Sequence, residues 1–524
     1  MNFVGAVPIA VAGTGFPWLT VAGGIPLVGA LLVALAPVRL SRLLTLASSL
    51  ITLVWVIVMA VRFNPSGPTF QFTEEYSWIP SFGVHYALGV DGIALVLIGM
   101  TVVLMPVVVL ASWHDADDAQ RSPKLYFALM LVLETMMIGV FAATDVFLFY
   151  VFFEAMLIPM YFMIGSFGVG PRQYAAVKFL LYSLLGGLLM LVAVIALYVY
   201  SGRAAAGGHG TFMFYSLAHL ALSPTVQKWL FLGFFIAFAI KAPLWPFHTW
   251  LPDAAASAQP GAAVLMLGVM DKVGTFGMIR YCLELFPAGF RYFTPLVLVL
   301  AVISIIYGAI VAIGQTSMKR LIGYTSISHF GFIVLGVFAL TSQGQSGATL
   351  YMVNHGFATG ALLLLAGFLI VRRGSDKISD YGGVQKVAPV LAGLFLISGL
   401  AGLSLPGLST FVSEFLVLVG TFSRYKVAGA FAVAGIVLAA IYILWMYQRT
   451  FNGPVAESVA TMTDLRPREL LAVVPLVALI IAMGVYPKPV LDVINPAVRT
   501  TMTQVHATDP VPAHPAVAQK GNQP

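Results

Sequence analysis

The sequence predicts an all-α, polytopic membrane protein of fourteen transmembrane helices, and three observations carry that reading. Of 524 residues, 60% are hydrophobic and only 9% are charged, where a soluble globular chain carries about 25% charged residues. Apolar windows of about 20 residues, the length that crosses a hydrocarbon core, recur along almost the whole chain. Two of these windows are interrupted: by Pro243, Pro246 and Pro252 in FAIKAPLWPFHTWLPDA, and by Pro406 in GLSLPGLS. The 50 glycines and 37 phenylalanines suit helices that approach one another closely and face acyl chains.

The windows lie near 18–37, 42–62, 89–112, 124–142, 145–165, 177–200, 228–252, 260–286, 293–314, 317–341, 346–371, 389–421, 425–450 and 469–486. The first three form an N-terminal segment, 1–112. The twelfth is too long for one straight span, so it reads as a second broken helix beside the seventh. Lys241 and Glu414, one at each break, are 173 positions apart. AAVKFLLYSLLGGLLML (175–191) and ATLYMVNHGFATGALLLL (348–365) match loosely at nearly the same shift. This divides the centre of the chain into two five-helix repeats, 124–286 and 293–450. Five is odd, so the second unit enters the membrane from the opposite face and the repeats are inverted. The fourteenth span, 469–486, precedes a polar, Pro-rich tail, 499–524, expected to be disordered.

Arg39, Arg121, Lys178, Lys319, Arg372 and Arg468 fall on the side richer in cations, and Arg280, Arg424, Lys426 and Lys520 on the poorer one. By the positive-inside rule the richer side is cytoplasmic, and an even number of spans then puts both termini outside. The net charge of +7 reads as this loop bias rather than as a surface for anionic partners. No basic residue precedes Arg39, so the start lacks the character of a cleavable signal peptide. The single cysteine, Cys282, excludes an internal disulfide and reads as a small packing residue.

A charge at the centre of a span costs about 2.5–3.5 kcal/mol on insertion scales, so ionisable residues there mark a polar interior or a transport path. This chain has Glu134, Glu154, Lys241, Asp271, Lys272 and Glu414 in or beside apolar spans, with His248, His329 and His355. Glu154 is either a helix-pairing carboxylate bonded to a hydroxyl or the partner of Lys241. Lys241 stands just before the Pro-X-X-Pro break, where prolines remove backbone donors and free carbonyls that bind water at membrane depth. A lysine there holds or releases a proton as a carboxylate approaches or withdraws; an arginine, always charged, does not. The alternative is a structural kink with a snorkelling lysine, and Lys241 is poorly placed to snorkel.

Lys272 either relays protons onward from Lys241 or neutralises a buried carboxylate; adjacent Asp271 points about 100° away from it. His329 and His355 are either satisfied hydrogen-bonding groups or relays, since imidazole exchanges protons near neutral pH. Glu414, after the second break, would end the row. Glu134 either bridges to a neighbouring subunit or makes a helix–helix hydrogen bond. For His248 and Asp253, capping of backbone groups freed by the break is a sufficient role. Two histidines on adjacent spans also admit a haem-bearing electron carrier, and a scaffold that only anchors partners is a third class.

KAPLWPFHTWLPDA, FFEAMLIPMYF, DKVGTFGMIR and SLPGLSTFVSEF together resemble the antiporter-like membrane subunits of respiratory complex I, across spans 4–13. Within that family the M-type chains have glutamate where Glu414 stands, while the L- and N-type chains and the Mrp-type antiporters have lysine; no long lateral helix is expected after span 14. The resemblance implies a proton-translocating membrane-arm subunit of a bacterial NADH–quinone oxidoreductase. It makes Glu154 and Lys241 a coupled ion pair, Lys272 the central relay, His329 and His355 the onward relay, Glu414 the terminal group and Glu134 the carboxylate of span 4. It implies no cofactor in this chain, with FMN and iron–sulfur clusters in partner subunits and quinone at a distant site. The expected partners are the L- and N-type chains, small membrane chains and the lipid bilayer. A Mrp-type Na⁺/H⁺ antiporter or a membrane-bound hydrogenase subunit shares the same core and is the competing reading. The linker 201–227 has no role assigned by it.

Overall fold

The structure, a computed structural model, describes residues 11–13, 15–117, 122–204 and 208–511. Arg121, Lys520 and residues 512–524 of the expected tail lie outside them. Twelve helices among the described residues are long and apolar enough to cross a membrane. The first six are α1 (Trp18–Leu35), α2 (Val38–Arg62), α3 (Gly92–Ala111), α4 (Pro123–Ala142), α5 (Val146–Phe167) and α6 (Arg172–Ala204). Two more are broken, as expected: α7a (Pro224–Lys241) with α7b (Trp250–Ser257), and α12a (Pro389–Gly402) with α12b (Ser409–Arg424).

The remaining spans are α8 (Pro260–Leu283), α9 (Pro287–Ile313), α10 (Met318–Phe338), α11 (Ser342–Arg373), α13 (Lys426–Phe451) and α14 (Pro467–Val485). Burial divides them into two classes. The central windows of α8, α10 and α11 are 100%, 94% and 94% buried, while those of α1, α2 and α13 are 33% buried. That partition follows from composition: α8, α10 and α11 carry Asp271, Lys272, His329 and His355, which lipid excludes. A shell of Leu- and Val-rich helices with exposed outer faces surrounds them.

Three features were not read from the sequence. A β-hairpin joins α2 to α3, with β2 (Phe70–Ile79) antiparallel to β3 (Val84–Val90), and a short β1 (Val11–Gly13) parallel to β2. Its turn needs Gly83, which has φ +61°. Glu74 on β2 accepts from the free backbone N–H groups of Leu19 (2.6 Å) and Thr20 (3.1 Å), anchoring the hairpin to the start of α1. Second, α5 is interrupted at Met156, one turn before Pro159, whose ring and missing N–H disturb the preceding turn. Third, α15 (Lys488–Gln504) follows α14 as an amphipathic helix, so Arg499 to Gln504 are helical where the start of a disordered tail was expected.

The cation count used for orientation also needs correction. Arg280 and Lys319 are 5% and 4% exposed and are not loop charges. Arg280 pairs with Asp91 at 2.5 Å and reaches Glu284 at 3.5 Å. Asp91 caps α3 through Ala94 N–H, and Thr501 of α15 donates to Glu284. One buried network thus ties α3, α8 and α15 together. Lys319 donates to the Ala258 carbonyl between α7b and α8. Cys282 is fully buried, as a packing residue should be.

Candidate proton path

Lys241 closes α7a and is fully buried, and its Nζ has no hydrogen-bond partner. The rings of Phe153 and Phe179 lie 5.1 and 5.6 Å from it, a cation–π environment that offsets part of the cost of burial. The break keeps the main chain largely satisfied. Trp250 Nε1 donates to the Ile240 carbonyl at 2.9 Å, and the N–H of Trp245 donates to Ser304 Oγ at 2.8 Å. Glu154 sits on α5 beside the Met156 interruption, with Oε1 buried and unpartnered. It makes no direct ion pair with Lys241, so the two charges act on each other only at longer range. The backbone of α6 backs onto Glu154: a Cβ at Gly187 would lie 1.6 Å from Oε1.

The centre of the row is a direct contact. Lys272 Nζ lies 2.7 Å from His355 Nδ1, donates to the Leu267 carbonyl, and stands 5.0 Å over the Phe330 ring. Two π-helical turns, Met266–Met270 and Met278–Leu283, flank Lys272 in α8. Such turns re-aim side chains within a helix and are frequent at functional sites. Helices α8 and α11 meet at Gly268 and Gly356. A Cβ on Gly356 would lie 2.9 Å from the Gly268 carbonyl and 2.4 Å from Met100 Sδ, so glycine is required for the approach. His329 and His355 then meet edge to face, with ring centroids 5.2 Å apart.

The second break supplies the far end. Opening α12 frees the Gly402 carbonyl, which accepts from His329 Nε2 at 3.0 Å; Tyr442 Oη lies 3.3 Å from the same nitrogen. Glu414 on α12b accepts from Tyr351 Oη at 3.1 Å and from Ser404 Oγ within the break. Tyr351, Ser404 and Tyr442 did not emerge from the sequence. Tyr351 had a signal, because it precedes His355 by four positions and shares its helix face. Tyr442 had none, being one of several aromatics, Trp445 and Tyr447 among them, in the same apolar span.

The other candidates are distributed differently. Glu134 is fully buried within the chain and neither oxygen has a partner. Asp271 likewise has both oxygens buried and unpartnered. Asp253 does not cap freed backbone groups: its two oxygens bridge Lys178 (2.8 Å) and Arg320 (2.6 Å), tying α7b to α6 and α10. His248 caps nothing either, and its ring sits edge to face on Tyr307 at 5.1 Å.

The row therefore consists of ionisable groups joined in places by direct contacts and separated elsewhere by unpartnered buried polar atoms. A bis-histidine haem would need both imidazoles to present a nitrogen to one iron with the porphyrin between them. Here the rings touch each other, and His355 Nδ1 and His329 Nε2 are already engaged. Among the described residues no group of three or more His, Cys, Asp or Glu side chains is placed to hold a metal ion.

Comparison with known proteins gives a consistent family. Residues 143–440 match the family described as NADH:quinone oxidoreductase/Mrp antiporter, TM, and residues 34–140 match NADH-ubiquinone oxidoreductase chain 4, amino terminus. The chain is 55% identical to NADH-quinone oxidoreductase subunit M of Mycobacterium tuberculosis, over 96% of this chain and 97% of that one. It superposes on a chain of respiratory complex I from Thermus thermophilus with TM-score 0.84 and 32% identity, covering 93% of this chain and 99% of that chain. A chain of the Mrp complex from Dietzia sp. DQ12-45-1b gives TM-score 0.82 over 93% of this chain and 98% of that one, but at 20% identity this likeness speaks for the fold alone.

Proposed function

Because the chain belongs to the subunit M family of NADH-quinone oxidoreductases, a membrane-arm subunit of a proton-pumping complex, we propose that protons move through it along Glu154, Lys241, Lys272, His355, His329 and Glu414. The observation that supports the path most strongly is the 2.7 Å contact between Lys272 and His355 at the centre of the bundle. The electron carriers, FMN and iron–sulfur clusters, belong to partner subunits, and the part left to the residues of this path is to hold and move protons.

The working cycle starts at the Glu154–Lys241 pair. When Glu154 approaches, Lys241 keeps its proton; when the carboxylate withdraws, an ammonium among Phe153 and Phe179 is costly and gives the proton up. Asp271 and Lys272 receive it through bound water, His355 and His329 carry it to the α12 break, and Tyr442 and Tyr351 bridge to Glu414. Glu134 acts as a second buried carboxylate on the Glu154 side. Helices α4–α8 and α9–α13 form the two inverted five-helix repeats, each contributing one broken helix. The chain lies in the bacterial inner membrane among L- and N-type partner chains, with both termini on the outer side.

The test is gentle purification of the tagged chain with its companions, followed by NADH-driven proton uptake into vesicles for wild type and Lys241→Ala. Unchanged protons per NADH in the variant would remove the path. Companions confined to small antiporter subunits, without NADH oxidation, would favour a Na⁺/H⁺ exchanger.

A further inference from the structure

Away from the proton path, an open groove of about 720 Å³ lies between α9 and the start of α13. Leu298, Val299 and Val302 of α9 form one wall, and Val427 and Phe431 of α13 form the other. Arg424 and Lys426, the last residue of α12b and the first of α13, stand at its end. The lining contains no acidic residue. Arg424 donates to the Thr508 carbonyl and Lys426 is exposed; neither has an acidic partner among the described residues. A groove of about 560 Å³ between α1 and α2 is also apolar but has no ionisable residue in its lining.

Depth matches the charge placement. The α9 wall runs from Pro295 to Ile303, roughly 12 Å of helix at 1.5 Å per residue. That is close to one leaflet of a hydrocarbon core about 30 Å thick. The cations lie where α12b ends and α13 begins, at the water-facing end of both spans. We propose that this groove binds one anionic phospholipid, its phosphate held between Lys426 and Arg424 and one acyl chain lying along α9. A partner helix would supply no counter-charge unless it brought an acid to the same place, whereas a phosphodiester supplies it at the correct depth.

The experiment uses the intact complex in nanodiscs containing a trace of photoactivatable phosphatidylglycerol with a diazirine on its acyl chain. The expected result is labelling of peptides containing Val299 and Val427, and labelling at least fivefold weaker with phosphatidylcholine of the same chain. A basic residue beside an anionic headgroup is worth about a factor of five. Lys426→Gln should lower labelling by about that factor, Lys426→Arg should preserve it, and Val299→Trp should block it by filling the groove. Equal labelling by both lipids overturns the proposal. So does an unlabelled groove, whether or not it cross-links to a neighbouring subunit.

Discussion

Nζ of Lys272 and Nδ1 of His355 lie 2.7 Å apart, joining two helices that approach closely at Gly268 and Gly356. With Lys272 charged, His355 Nδ1 accepts, and its proton sits on Nε2. His355→Leu should therefore leave a charged Lys272 with the Leu267 carbonyl as its one hydrogen-bond partner and destabilise the chain by about 1.5–3 kcal/mol, the worth of a hydrogen bond to a charged group. His355→Gln, which can place a carbonyl near the same point, should assemble and melt close to wild type yet pump less. Thermal melts and vesicle proton uptake of the two variants separate packing from transfer. If His355→Gln pumped at the wild-type rate, the imidazole would have no relay role.

Gly187→Ala tests the Glu154 environment without removing a charge. The new methyl would overlap Glu154 Oε1 and push the carboxylate off its present position. The expected effect is a several-fold loss of NADH-coupled proton uptake, with the electron-transfer activity of the partner arm retained on an artificial acceptor. Wild-type uptake would show that the carboxylate's position does not matter to coupling.

Tyr351→Phe and Ser404→Ala each remove one donor from Glu414. A carboxylate losing a buried donor costs about 1–3 kcal/mol, so the double variant should bias Glu414 toward its protonated form more than either single change. Infrared spectroscopy of the C=O stretch near the protonated-carboxyl band reads this directly. Subtraction of a Glu414→Gln spectrum assigns the band, and an unchanged band in the double variant would contradict the contact.

The buried network around Arg280 should be a stability element. Arg280→Met alone leaves Asp91 and Glu284 facing each other unpaired, and breaking such a pair costs about 3–5 kcal/mol. Arg280→Met combined with Asp91→Asn and Glu284→Gln should recover much of that loss. Denaturation of the purified complex, read as dissociation of this chain on native gels, measures both.

Outside the spans, Asp115 has its carboxyl pushed up to about 6 by burial, against the opposing effects of Ser112, Arg468 and Lys319. The folded state therefore takes up this proton before the unfolded one does, so the group's contribution to stability falls as pH rises from about 4 to about 6 and is constant above. Asp115→Asn should melt higher than wild type at pH 7, and that gap should close as pH is lowered toward 4. A gap independent of pH would mean that the carboxyl does not titrate in this window.

Span number, the two breaks and the ionisable residues set within apolar spans, Glu134, Glu154, Lys241, Asp271, Lys272 and Glu414, were legible in the sequence, because each is a local property. Twenty apolar residues need a bilayer wherever they occur, and Lys241 beside Pro243 is anomalous without reference to any neighbour. The β-hairpin at 70–90 escaped because its strands are short beside the windows that reveal helices. The π turns around Lys272 escaped because nothing in MLGVMDKV distinguishes them from an α-helix. Arg280 looked like a loop cation because its partners, Asp91 and Glu284, are revealed only by packing, as is Thr501.

By itself, then, the sequence determined a bilayer-embedded chain with two broken helices and a set of protonatable side chains that lipid would not tolerate on its outer face. Only the tertiary structure decided which of them touch: Lys272 with His355, His329 with the freed carbonyl of Gly402, and Glu414 with Tyr351 and Ser404. It also decided that Glu154 and Lys241 stand apart rather than in direct contact. Hydropathy is additive along a chain and can be summed from residue types. A proton step depends on separations of about 3 Å between residues far apart in sequence, and those are set by how the helices pack.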